Sequence, residues 1–340
     1  MKRLRGRTRW PKVFTEPALG GVEMQRPVVW AAAAVLASVA LLGAALVGLA
    51  AGFALGAQLR APGGREERVV AGEGPDKVAL VRLVGPISQE GGGLFSLGQA
   101  ASARRVLEQM QRAGRDPQVK AILLELNTPG GSVVASARIH DQVVRLRQQG
   151  KPVVALLTEV AASGGYYVAA AADRIVADPS TLTGSIGVLV VLPNFQEFNR
   201  RIGLRTVVFK SGRFKDMGNP DRLLTREEAA LFQGIVEEAY RRFVEVVVQG
   251  RRLARARVLQ LADGRVYTGA QAHRLGLVDQ LGSFEDALSE ALQLARLRRA
   301  RVVEYPEEGF LGSLLRWQLP WLRPVPPPQL PFSVQYLMAP

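Results

Sequence analysis

Ser163, in Ala161-Ala162-Ser163-Gly164-Gly165-Tyr166-Tyr167, and Lys215, in Lys210-Ser211-Gly212-Arg213-Phe214-Lys215-Asp216, are the residues of this chain best suited to covalent chemistry. A hydroxyl becomes a useful nucleophile when a neighbouring base removes its proton. The usual base is scarce here, because the chain has only two histidines, His140 and His273. An amine can serve if it is neutral. That requires bringing a lysine pKa from about 10.4 to about 7, roughly 4.6 kcal/mol, which desolvation in an apolar pocket can supply. Asp216 opposes this unless its carboxylate points away from the serine, and that orientation is expected. The reading is therefore Ser163 as nucleophile and Lys215 as base, with a Ser-His-Asp arrangement on the same serine as the rival.

The glycines around the serine have their own chemistry. Gly164 and Gly165 leave the backbone uncovered, and a helix beginning there aims free N–H groups at a reacting carbonyl. Gly164 would give one donor to the oxyanion of an acyl-transfer intermediate. Gly131, in Thr128-Pro129-Gly130-Gly131-Ser132, would give the second. Each such donor stabilises the transition state by roughly 3 kcal/mol. Ser185, in Thr183-Gly184-Ser185-Ile186-Gly187-Val188, is placed to orient the amine as a third group.

These residues need a scaffold, and the pattern supplies an α/β one. Lys77–Val84, Lys120–Leu126, Val153–Leu157 and Ile175–Ala177 are strand-like apolar runs. Ser136–Gln149 has helical spacing, a second helix begins near Gly165 and runs through Ala172, and Thr225-Arg226-Glu227-Glu228 is a capping box opening a helix to about Gln249. Along that last helix Leu231, Ile235, Ala239 and Phe243 form an apolar stripe expected to pack in the core. Strand–helix–strand crossovers are right-handed and bind ligands at the strands' carboxyl ends. Both glycine motifs fall at such turns, so one site built from two neighbouring loops is expected.

Composition narrows the classes. The chain has 340 residues, no cysteine and a formal net charge of +14. Thiol chemistry and disulfides are excluded, and without H-E-x-x-H a catalytic zinc site is not expected; no metal or cofactor is implied. Residues 1–27 carry seven Lys or Arg against two Glu, and further arginines cluster at 241–242, 251–257 and 296–301. These read as solvated helix faces beside anionic lipid rather than a nucleic-acid surface, for which no motif is present.

Val28–Ala57 is one apolar run, about 45 Å long as a helix and enough to cross a hydrocarbon core of about 30 Å. It reads as a retained transmembrane helix with residues 1–27 cytoplasmic and the rest outside, although Ala54-Leu55-Gly56 loosely fits a signal cleavage site. Residues 58–75 read as a linker, Gly91-Gly92-Gly93 as a mobile loop, 76–302 as the catalytic domain and 303–340 as a proline-rich tail not expected to pack as regular structure.

Five segments, taken in order, resemble the bacterial signal peptide peptidase A family in its short, single-repeat form. They are Leu126–Ser132, Ala161–Tyr167, Thr183–Val188, Lys210–Asp216, and Asp263–Gly269 continuing to Gly276–Asp279. The resemblance spans about residues 77–300. It implies a Clp protease/crotonase-like fold of repeated ββα units and a Ser–Lys dyad at Ser163 and Lys215, with Ser185 matching a lysine-orienting serine. It also implies a ring-shaped homo-oligomer on the outer face of the cell membrane, in which serine and lysine meet across a subunit boundary. The implied substrates are signal-peptide remnants and other apolar peptides at the lipid bilayer.

Thr128 stands where many relatives have serine. The tail is unexplained by the shared motifs, and one use for Ser333–Pro340 is as an internal pseudo-substrate in a protease groove. A crotonase-like acyl-CoA enzyme and an inactive membrane scaffold are the alternatives.

Overall fold

Three apolar runs, each at least as long as its sequence pattern marks, form the spine of the structure: β2 (Lys77–Val84), β5 (Val119–Thr128) and β7 (Val153–Ala162), paired in parallel. The structure is a computed structural model and describes residues 67–89 and 101–305, Gly48, and the backbone of Gln335–Leu337. Gly48 apart, the segments 1–27, 28–57 and Gly91–Gly93 lie outside the described residues. Among the described residues no helix is long and apolar enough to cross a membrane.

Side chains alternate faces along a strand, and here both faces are buried. Val78, Leu80, Ala121, Leu123, Val154 and Leu156 pack on one side; Ala79, Val81, Ile122, Leu124, Val153 and Ala155 pack on the other. Such strands read as near-continuous apolar runs because helices cover both faces. The first face is covered by α8 (Phe284–Leu294) through Ala287 and Ala291. The second is covered by α1 (Ala103–Arg115), α2 (Val133–Gln148), α3 (Gly164–Ala169) and the end of α5 (Arg226–Arg251).

The main sheet continues with β8 (Arg174–Ala177) and β11 (Gln280–Leu281) beyond β7, and with β12 (Arg301–Glu304) and β1 (Arg68–Ala71) beyond β2. β9 (Leu182–Gly184) pairs with β7 and with β10 (Val266–Thr268). Only the β1–β12 and β9–β10 pairs are antiparallel in this sheet. The result is the expected mixed α/β architecture with a mostly parallel sheet. β1 falls within the stretch read as linker, and β12 runs past residue 302. A second, small sheet has the order β13-β6-β3-β4, from Gln335–Leu337, Gly130–Ser132, Ile87–Ser88 and Ala101–Ser102.

Two expectations about the helices are corrected here. The helix after Ser163 is shorter than the pattern suggested, ending at Ala169. The capping box at Thr225 forms as expected, but Leu231 and Ile235 on α5 are 44% and 39% exposed. The buried stripe is Phe232, Ala239, Phe243 and Val247, because an apolar face drifts around a helix of 3.6 residues per turn.

Arg251, one of the clustered arginines, is not a solvated charge. Its side chain is 6% exposed and its guanidinium donates to both Asp279 oxygens at 2.9 and 2.6 Å, while Asp279 also accepts from the Ile175 N–H at 2.7 Å. It ties the end of α5 to the sheet. Arg251→Ala leaves that carboxylate only the Ile175 N–H and the more distant Arg174, 3.8 Å away, and a loss of about 3 kcal/mol is expected, read as a lower denaturant midpoint. An unchanged midpoint would show that the pair carries no stability.

Candidate active site

The carboxyl ends of β5, β7 and β9 meet at one edge of the sheet, and the three short motifs sit there. Thr128 of β5 registers with Ala161 of β7, and Ala162 registers with Gly184 of β9. The next backbone bond, from Ser163 N–H to the Gly184 carbonyl at 2.8 Å, carries the ladder one step further. Ser163 and Ser185 thus follow a registered pair on adjacent parallel strands. Thr183 secures the junction by donating its hydroxyl to the Ala161 carbonyl at 2.7 Å.

At Ser163 the chain turns sharply from β7 into α3. Its φ of 53° and ψ of −115° lie outside the left-handed helical well, and Ser185 also has a positive φ, 49°. Conformations of this kind cost about 1–3 kcal/mol and persist where the surroundings over-determine them. Those surroundings are visible. Tyr166, one turn into α3, is fully buried and donates its hydroxyl to the Leu277 carbonyl at 2.8 Å; burial pushes its phenol pKa far above the usual range, so it stays a neutral donor. Gly165 abuts Thr128 so closely that a Cβ would lie 2.7 Å from the threonine methyl. The glycine after the motif's first glycine therefore serves packing, a constraint the sequence reading missed.

Ser163 is itself 0% exposed, and its Oγ has no hydrogen-bond partner among the described residues. An unpaired buried hydroxyl is unfavourable by about 1–3 kcal/mol. Among the described residues neither histidine bonds this hydroxyl. His140 bonds Asp141 at 3.1 Å and rests against Tyr167, its ring 5.2 Å away, with burial lowering its pKa. His273 lies on α7 (Gly269–Arg274).

The glycine turn is built by Thr128, whose Oγ1 accepts from Gly130 N–H at 3.1 Å, so threonine performs this local bond without serine. Gly131 has φ 153° and passes so near β3 that a Cβ would sit 2.2 Å from the Ile87 carbonyl oxygen. Gly164 opens α3, where N–H groups of the first turn have no helical acceptor. Gly131, Gly164, Ser163 and Ser185 therefore gather at one strand edge.

Lys215 does not join them within the chain. It is exposed, on a segment whose hydrogen bonds stay inside residues 194–228. Arg222 and Lys210 bond the Asp216 carboxylate, holding it well below the usual carboxylate range, and Arg222 does the same to Glu228. Asp216 is thus engaged by two cations of its own loop. The same segment leaves Phe195, Phe198, Ile202, Leu204, Val207 and Phe209 between 50% and 95% exposed.

A cleft of about 450 Å³ opens beside Ser185, between Ile186–Leu189 and Gln233, Glu237, Tyr240 and Asp263. A larger one of about 710 Å³, between Thr158–Val160, Leu182 and Phe284, includes none of the four gathered residues. Among the described residues no three His, Cys, Asp or Glu side chains cluster as a metal site needs.

A buried serine at a strand-to-helix elbow, beside glycine turns on a mostly parallel sheet, is the arrangement of an acyl-transferring serine hydrolase. Comparison with known proteins narrows this. The pattern of peptidase family S49 matches residues 145–298 and that of Clp protease matches residues 96–180; both include Ser163, and the first also includes Lys215. The chain is 38% identical over 253 residues to the putative signal peptide peptidase SppA of Enterococcus faecium, covering 74% of this chain and 73% of that one. It is 37% identical over 242 residues to a putative protease of Methanocaldococcus jannaschii, covering 70% and 77%. To the chloroplastic serine protease SPPA of Arabidopsis thaliana it is 35% identical over 225 residues, which is 66% of this chain and 33% of the plant protein. The chain belongs to peptidase family S49 and is a serine peptidase, so the acyl-CoA and inactive-scaffold alternatives fall away.

Proposed function

We propose that this chain is a membrane-anchored endopeptidase in which Ser163 and Lys215 form the catalytic dyad, with Lys215 supplied by a second copy. Ser163 Oγ attacks the carbonyl carbon of an extended peptide and its proton passes to a neutral Lys215 Nζ. The Gly131 and Gly164 N–H groups receive the negative oxygen. The protonated amine then gives its proton to the leaving nitrogen, and water releases the acyl group from Ser163 by the same steps in reverse order. Ser185 orients the amine.

The observation that carries this reading is the strained, buried and unpartnered Ser163 hydroxyl one residue past the Ala162–Gly184 register pair. The exposed Lys215 and the apolar residues around it support its delivery to another protomer, since exposed apolar patches of this kind mark interaction surfaces. Burial of the amine at that interface is what would make it neutral. Residues 28–57 anchor the chain, and the substrates are apolar peptides at the membrane, signal-peptide remnants among them.

A fluorophosphonate probe tests the nucleophile. Incubated with the assembled chain, it is expected to modify Ser163 alone and to stop cleavage of an apolar peptide in proportion to labelling. Modification at another serine, or cleavage that survives full labelling, would remove Ser163 from the mechanism.

A further inference from the structure

Lys215 lies in a run of tight turns rather than on a helix or strand. Its N–H donates to the Gly212 carbonyl at 3.1 Å, Met217 N–H to Phe214 at 3.0 Å and Asn219 N–H to Asp216 at 3.1 Å. A base on such a segment needs a rigid support to define where its amine goes.

One side chain supplies that support. Arg222 donates from Nε to one Asp216 carboxylate oxygen and from Nη2 to the other, each at 3.0 Å, and Nη2 also reaches the Asp216 carbonyl at 3.0 Å. Its Nη1 and Nη2 donate to the two Glu228 oxygens at 2.8 and 2.5 Å. Glu228 is buried in the first turn of α5, where it also accepts the Thr225 N–H at 2.9 Å within the capping box. α5 runs for 26 residues and is held in the core by Phe243 and Val247. The residue next to Lys215 is thus fastened through one guanidinium to the start of a long, anchored helix. A planar guanidinium can hold carboxylates with paired bonds in this way, and an ammonium cannot.

The charges matter as well. A free carboxylate one residue from the base would hold the proton on the amine. Here Arg222 and Lys210, the latter at 2.6 Å, both engage it. The neighbouring charges are paired elsewhere: Arg213 with Glu227, and Asp221 with Asn199 and Thr206. On the serine's side the Ser185 cleft carries Glu237 and Asp263, and Asp263 is bonded by Arg265.

We propose that Arg222 is the positioning residue of the general base: by joining Asp216 to Glu228 it sets the reach of Lys215 from the start of α5 and offsets the negative charge beside the amine. This rests on the assignment of Lys215 as the base. Arg222→Gln removes a cation and uncovers the Asp216 carboxylate, and both changes strengthen the hold of Lys215 on its proton. Asp216→Asn keeps an acceptor for Arg222 but removes the anion, which weakens that hold. The base must be neutral, so the acid limb of kcat/KM is expected to move up by about one pH unit in Arg222→Gln and down by about one unit in Asp216→Asn. Below the limb, one unit upward is about a tenfold loss of activity. Arg222→Lys keeps the charge without the paired bonds, so its limb is expected to stay in place while kcat falls about tenfold.

The amine is titrated directly in assembled Ser163→Ala chains, by trace acetylation of Lys215 across pH read by peptide mass spectrometry. The labelling midpoint is expected to rise with Arg222→Gln and fall with Asp216→Asn, alongside the pH profiles of the active-serine chains. Arg222→Gln leaves buried Glu228 without its cation, so Asp216→Asn, which leaves α5 untouched, carries the test if the first variant does not assemble. A loss of activity equal at every pH, with unmoved midpoints and an inactive Lys215→Ala chain, would overturn the role of Arg222 and leave the dyad standing. Activity that survives Lys215→Ala would remove the base itself, and this role with it.

Discussion

Ser163→Ala is expected to lower kcat by about 10⁵ or more, because removing the proposed nucleophile of a serine hydrolase leaves only binding and oxyanion stabilisation. The same change is expected to raise the melting temperature. Ser163 is buried with its hydroxyl unpartnered, and alanine removes that oxygen without adding volume. Relief of about 1 kcal/mol corresponds to about 2–4 °C for a domain of this size. Alanine keeps the Cβ, so the backbone strain at φ 53° remains. Ser163→Gly is expected to relieve part of that as well and to melt higher still. Activity and stability thus move in opposite directions at one atom, as expected where strain is held for chemistry. Peptide cleavage and calorimetry on the same preparations check both. A loss below about tenfold would deny the serine its role, and a lower melting temperature would mean that its hydroxyl stabilises the fold.

The site was partly legible in sequence because its parts are local. Thr128–Ser132 and Ala161–Tyr167 each combine the end of an apolar run with glycines, and a strand-to-helix turn is the only element that accommodates both. Their adjacency was expected from crossover topology, and the Thr128–Ala161 register sets the two strand ends side by side. What sequence did not reveal was non-local. Gly165 looked like an uncovered approach for substrate, yet its closest neighbour is the Thr128 side chain thirty-seven positions earlier. Arg251 sat in a run of arginines that read as solvated, and its partner Asp279 is too distant in sequence for any spacing rule to pair them.

The tail shows the same limit from the other side. Its prolines outweighed the short proline-free stretch that follows, so regular structure was not expected there, and β13 was found only through its pairing with β6. Composition reports what a segment can do alone. An edge strand such as β6 supplies the missing half of a ladder, and that half is invisible until the fold is drawn.

Lys215 is where a single chain ends as an explanation, and two inactive variants can resolve it. Lys215→Ala is expected to lower kcat by about 10⁴, the upper end of what a positioned base contributes. Lys215→Arg is not expected to rescue it, because a guanidinium stays protonated. Among the described residues Ser163 is buried without a partner and Lys215 is exposed, so the chain by itself shows no Ser–Lys bond.

In a closed ring each interface joins one face of a protomer to a different face of the next. A Lys215→Ala protomer still carries Ser163, and a Ser163→Ala protomer still carries Lys215. Where the first meets the second in the correct order, a complete site forms. Random assembly of equal amounts therefore regenerates about a quarter of the wild-type sites from two dead parents. Co-expression of the two variants, followed by purification of the mixed assembly and assay on an apolar peptide, reads this directly. A mixture as inactive as its parents would place the base within the serine's own protomer or assign it to another residue. The exposed apolar segment around Lys215 would then need a different partner.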